Sequence, residues 1–123
     1  MGALALDASA VIAFFSAADA HHSRAVGEFR AANEREDSFV MPASAYSEIL
    51  VHALRQGREG LIESFVDRLG IEVVPVDREL ARLAAECRAE HRTLRLPDAL
   101  VLALARASGA RLLTFDERLA ALR

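Results

Sequence analysis

Four carboxylates in this chain stand where their chemistry is conspicuous. Asp7 ends the short apolar run Ala-Leu-Ala-Leu at residues 3–6. Glu48 lies inside an amphipathic helical pattern, at the edge of its apolar stripe. Asp98 opens a helical stretch that is otherwise nearly all apolar, and Asp116 lies two residues beyond the last apolar run at 111–114. An acid inside or beside an apolar run is costly to bury unless it is paired. If all four share a pocket, each like-charged pair about 4 Å apart repels by about 4 kcal/mol at an effective dielectric near 20. A divalent cation removes that repulsion. Oxygen ligands without His or Cys select Mg2+ or Mn2+ over Zn2+, and such sites commonly serve phosphoryl chemistry.

Taken singly, the same acids have plainer readings. Asp77 reads as a helix N-cap and nothing more. Asp98 and Asp116 fit equally well as caps, because an acid in a first turn favours the helix dipole. Glu48 alone is uninformative.

Composition closes several other routes. The chain has 123 residues, net charge −3, 53% hydrophobic and 27% charged residues, which is the profile of a globular domain and excludes disordered or fibrous classes. All 15 basic residues are arginine. A Walker A phosphate loop and Schiff-base catalysis, both of which need lysine, are thereby excluded. One cysteine gives no disulfide framework and no CxxC metal pair. The slightly acidic balance offers no global steering towards nucleic acid, so such a partner needs a local arginine patch. Arg24, Arg30, Arg92, Arg95 and Arg118 flank the motifs and are the candidates, although most arginines on helices are simply solvated.

The remaining polar and aromatic residues read as packing or surface. Glu48 and His52 share a helix face at i, i+4, but no second histidine motif accompanies them, so His52 reads as structural or solvated. His21 and His22 read as surface residues at the start of a polar helix. His91 and Cys87 fall on the apolar stripe of one helix, where they read as a partly buried imidazole and a small core thiol, and Tyr46 and the phenylalanines fall at core spacing.

These side chains must be positioned by alternating strands and helices. Short apolar runs at 3–6, 38–41, 71–74 and 111–114 read as strands. Helical patterns cover 8–17, 19–36, 43–55, 58–69, a stretch after Asp77, 98–107 and a short segment from Asp116. Gly57, Gly70 and Gly109 act as stops, and Pro97 stands in a first turn. The pattern predicts one α/β domain over residues 1–123, with a parallel sheet covered by helices on both faces. In such sheets the carboxyl ends of the strands converge on one crevice, which would hold Asp7 and Asp116, and right-handed crossovers can bring Glu48 and Asp98 over the same edge.

Four segments in order, Asp-Ala-Ser-Ala-Val-Ile-Ala at 7–13, Ser-Glu-Ile-Leu at 47–50, Leu-Pro-Asp-Ala-Leu at 96–100 and Leu-Thr-Phe-Asp-Glu-Arg-Leu at 113–119, resemble the PIN-domain nucleases. The chain is similar in particular to the small VapC-type toxins of toxin–antitoxin pairs. The resemblance implies a PIN-like three-layer sandwich and a metal-dependent ribonuclease whose Asp7, Glu48, Asp98 and Asp116 hold one or two Mg2+ or Mn2+ ions. It gives Ser9 and Thr114 the role of supporting the metal shell by hydrogen bonds. It also implies an RNA substrate cut to leave a 5′-phosphate, a small VapB-like antitoxin as partner, and a homodimer. Only seven residues follow Asp116, where many relatives continue into a further edge strand, so the sheet is expected to have four strands, or five.

Two other readings compete. A phosphatase or receiver domain also uses an acid at the end of its first strand, but it needs a lysine near the phosphate. A PIN-like module that binds a partner without turnover would keep the fold and lose only the activity. No targeting segment and no membrane span is evident, which makes the cytoplasm the expected location.

Overall fold

The computed structural model describes residues 2–122. Its elements run β1 (Ala3–Leu6), α1 (Ala8–Phe15), α2 (His22–Glu34), β2 (Ser38–Pro42), α3 (Ala43–Leu54), α4 (Glu59–Leu69), β3 (Glu72–Val74), α5 (Arg78–Glu90), α6 (Leu96–Ser108), β4 (Arg111–Leu113) and α7 (Glu117–Ala120). Every strand expected from the apolar runs forms. The sheet has four strands among the described residues, in the order β3-β2-β1-β4, and all pairings are parallel.

Period-two alternation divides the core. Leu4, Leu6, Phe39, Met41 and Leu113 face one cluster with α1 to α4, whereas Ala5 and Leu112 face a second cluster with α5, α6 and α7. Helices therefore cover both faces of a short parallel sheet, in three layers. On the first side, Phe14, Phe15, Phe29 and Phe65 pack edge-on and tilted with centroids 4.9–5.3 Å apart. On the other side α6 packs on β1, β2 and β4, and its residues 98–105 are all buried. A helix buried nearly all round explains why that stretch is so apolar.

Helix ends follow local chemistry. The Asp77 carboxylate accepts from Leu80 N at 2.8 Å, the N-cap expected of it. Gly70 and Gly109 end α4 and α6 at φ of 60° and 63°, a left-handed conformation that glycine adopts without a Cβ penalty.

Three histidine assignments need correction. His91 is partly buried as expected, but it does not lie on the α5 stripe: it follows the helix as its C-cap, because the helix closes at Glu90. His21 and His22 are also half-buried rather than free surface residues. His22 Nδ1 lies 2.9 Å from the Ala13 carbonyl oxygen, tying α2 to α1.

Connectivity reverses at β1. The chain steps from β1 to β2 to β3 on one side, then crosses back and adds β4 on the other. The carboxyl ends of β1 and β4 thus flank the point where a doubly wound sheet opens its crevice. Because Leu102 is 1% exposed on α6, Leu102→Ala is expected to lower the unfolding free energy by about 2–4 kcal/mol. Urea denaturation measures it. A loss below about 1 kcal/mol would contradict the tight packing of α6 on the sheet.

Candidate active site

Asp7 stands at the N-cap position of α1, but its side chain makes no capping bond. Its Oδ2 instead accepts the hydroxyls of Ser9 and Thr114, each at 2.7 Å. Both hydroxyls also accept: Phe115 N donates to Ser9 Oγ at 3.0 Å and Asp116 N to Thr114 Oγ1 at 3.0 Å. Each hydroxyl has one proton, and both are directed to Asp7. The 3.3 Å approach of Ser9 Oγ to Thr114 Oγ1 is therefore contact between two oxygens serving the same carboxylate. A backbone bond from Asp7 N to the Leu113 carbonyl at 3.0 Å completes the clasp between β1 and β4.

Asp116 is a cap, as one of its readings held. Its Oδ1 accepts Arg118 N at 3.0 Å and Leu119 N at 3.2 Å. Asp116 and Asp7 thus share a design: the fold fixes one oxygen of each, Oδ1 of Asp116 and Oδ2 of Asp7. Among the described residues, the other oxygen accepts no hydrogen bond.

Asp98 is not a cap. It lies in the first turn of α6, is 8% exposed, and receives Arg95 Nε at 3.4 Å. Burial pushes its carboxyl above the ordinary carboxylate range. Arg95 pulls it back, while Asp7 and Asp116 push it further up. Glu48 reaches the same place from α3. Burial raises its carboxyl too, followed by repulsion from Asp7 and Asp98, with Arg95 acting the other way. Since Glu48 as a whole residue is exposed, the repulsion from two named acids is what ties it to the site. Asp7, Glu48 and Asp98 thus lie within each other's field, and Asp116 within that of Asp98, although they come from the end of β1, α3, α6 and the turn after β4.

Asp7 and Asp116 follow β1 and β4 directly. Asp98 is brought in by the crossing of α6 over the sheet, and Glu48 by α3, which packs against α6. The set offers only carboxylate and hydroxyl oxygens, the donors that a hard divalent cation such as Mg2+ or Mn2+ takes. Among the described residues no three acids, histidines or cysteines already stand close enough together to hold an ion. Donor chemistry fits the ion, and a closer approach of the carboxylates is what ion binding has to supply.

Sequence reasoning grouped Arg95 with four other arginines and missed its link to the acids. The available signal was its i, i+3 spacing to Asp98 at a helix start. It also assigned Phe115 to the core alone. The ring stacks on His21, with centroids 5.0 Å apart and planes 7° apart, and Arg24 lies 5.1 Å from its centroid. His52 is exposed, and Cys87 is buried as expected, with Arg106 Nη1 at 3.7 Å from its sulfur.

The PIN domain family model matches residues 4–123, nearly the whole chain. The chain belongs to the PIN domain family. The PIN fold seen here is similar to that of VapC20 from Mycobacterium tuberculosis, a toxin that cleaves the sarcin–ricin loop, with a TM-score of 0.78 and 22% identity over 97% of this chain and 94% of that one. A toxin–antitoxin complex from Klebsiella pneumoniae aligns with a TM-score of 0.75 and 18% identity over 94% and 88% of the two chains. VapBC2 from Rickettsia felis, bound to a DNA fragment from its promoter, aligns at 0.74 and 13% identity over 94% and 89%. No curated protein matches this PIN domain in sequence.

Two measurements test the site's electrostatics and hydrogen bonding. An acid whose folded pKa is raised destabilises the fold at pH values above that pKa, and the penalty disappears as pH falls through it towards the ordinary 4.5 of glutamate. Without divalent metal, Glu48→Gln is therefore expected to raise Tm at pH 7, with the gain fading in acid. A variant less stable than wild type at pH 7 would refute the mutual repulsion. Thr114→Val keeps the shape but deprives Asp7 of a donor and Asp116 N of its acceptor, with an expected cost of about 1–3 kcal/mol by chemical denaturation. A neutral result would mean that the clasp contributes nothing.

Proposed function

We propose that this PIN domain is a metal-dependent endoribonuclease, the toxin of a type II toxin–antitoxin pair. The observation that carries the reading is the convergence of four carboxylates at the switch point of the sheet, one of them held by two hydroxyls. Such a concentration of negative charge weakens the fold and has a clear use in binding a divalent cation. Its similarity in fold to toxins of known structure supports the same reading.

Asp7, Glu48, Asp98 and Asp116 would hold one or two Mg2+ or Mn2+ ions. A bound ion of this kind acidifies water and stabilises charge on a phosphate. The chain's own residues orient the carboxylates. Ser9 and Thr114 fix the Asp7 carboxylate so that its Oδ1 is left to the pocket. The backbone N–H groups of Arg118 and Leu119 do the same for Asp116, leaving Oδ2. Asp98 itself is buried at the start of the run 98–105 of α6. In the reaction, water adds to the phosphorus of an RNA phosphodiester and the bond to the 3′-oxygen breaks, giving a 5′-phosphate and a 3′-hydroxyl. Four uncompensated acids would repel that polyanion, so cation binding and substrate binding are expected to be coupled.

The partners follow from the same reading: an RNA substrate, a small VapB-like antitoxin, and a second copy of the chain in a homodimer. The similarity to toxins solved with their antitoxins supports the second. We place the protein in the cytoplasm, where RNA is present and where its single buried thiol stays reduced. No helix among the described residues is long and apolar enough to cross a membrane.

Cleavage of total RNA by the purified protein tests the proposal. Activity is expected with Mg2+ or Mn2+, none with EDTA, and a loss on the order of 100-fold or more in Asp98→Asn. Cleavage that persists in EDTA or in the variant would overturn it.

A further inference from the structure

Arg95 stands over the acid cluster in a way that its backbone fixes. It is the residue before α6, in extended conformation at φ −78° and ψ 157°, and its carbonyl accepts Ala99 N at 2.9 Å. Pro97 stiffens the same turn. The side chain brings Nε to 3.4 Å from Asp98 Oδ2 and Nη2 to 4.0 Å from Asp116 Oδ2. The Asp116 oxygen it faces is the one the fold leaves free. Its charge also acts on Glu48. One cation therefore serves three of the four acids.

The contrast in exposure shows on which side it lies. The Arg95 side chain is 66% exposed, against 11% for Asp98 and 22% for Asp116. The guanidinium sits on the solvent rim, above carboxylates that lie deeper. Long contacts at that exposure are weak. A divalent cation, with twice the charge and direct access to the carboxylate oxygens, displaces them readily. Once displaced, the guanidinium remains tethered at the rim, where a phosphate must pass to reach the acids, and its planar fork suits phosphate oxygens. Two other arginines are engaged elsewhere: Arg24 lies over Phe115 and Arg88 Nε donates to the Leu94 carbonyl at 3.0 Å.

We propose that Arg95 is a substrate-binding residue with two successive partners, the carboxylates of Asp98 and Asp116 in the metal-free protein and the RNA phosphate once a divalent cation has taken over those acids. The proposal rests on the nuclease reading above and adds to it a residue and a sequence of contacts.

The test compares wild type, Arg95→Gln and Arg95→Lys by Mn2+ titration calorimetry and by cleavage of total RNA at saturating Mn2+. Removing a competing cation is expected to tighten Mn2+ binding by roughly two- to tenfold. Removing a phosphate contact is expected to slow cleavage on the order of tenfold. Arg95→Lys, which keeps the charge, should retain Mn2+ affinity near wild type. A merely structural role would weaken both properties together, and this opposition of signs separates the two. Unchanged or weaker Mn2+ binding in Arg95→Gln overturns the proposal, as does an unchanged cleavage rate. A wild-type protein that binds no Mn2+ overturns the nuclease reading itself, and this proposal with it.

Discussion

The carboxylate of Asp7 lies at the end of an inner strand, β1, between neighbours on both sides, and its charge must be compensated there. Two hydroxyls donate to one of its oxygens, and each hydroxyl in turn accepts a backbone N–H from the turn after β4. The path of the chain beyond β4 is thus tied to one atom on β1. Asp116 falls where it does because its own amide is bound to Thr114 Oγ1, two residues before it. The switch point, the turn and the cap of α7 all depend on that shared anchor, and the candidate site is built around it.

Electrostatics then works against the fold. Burial and mutual repulsion raise Asp98 and Glu48, and Arg95 offsets part of that cost from the rim. The apolar remainder of the molecule carries the stability that this region gives up: two clusters separated by the sheet, one rich in phenylalanine and one built on the nearly fully buried α6. In the nuclease reading proposed above, stored repulsion of this kind would give a bound cation something to stabilise and would link metal binding to both fold and substrate charge. In that reading the hydroxyls of Ser9 and Thr114, which hold the Asp7 carboxylate in place, would limit the reorganisation left for that step.

Much of this was legible in the residues. The apolar runs at 3–6, 38–41, 71–74 and 111–114 marked the strands, and the nearly all-apolar stretch 98–107 marked the helix α6. Asp77 behaved as its position suggested. Histidines were read less well: His91 lies past a helix end that no glycine or proline marks, and His21 and His22 are drawn in by contacts with Phe115 and Ala13. Such contacts depend on where α2 and the β4 turn lie in space. Nothing in the immediate sequence around a histidine encodes that.

By itself the sequence determined the element order, the parallel class of the sheet and the acids at strand ends, because these follow from local periodicity and from the shortness of the connections. Only the tertiary structure decided which acids are bound and which are free. Whether Asp116 caps a helix, whether Asp98 does not, and whether Arg95 faces them both depends on side-chain directions set by packing across the sheet. Asp7 and Thr114 are 107 positions apart in the chain and 2.7 Å apart in the fold. Parallel pairing of β1 with β4 alone brings them together, and that pairing is fixed by the whole core.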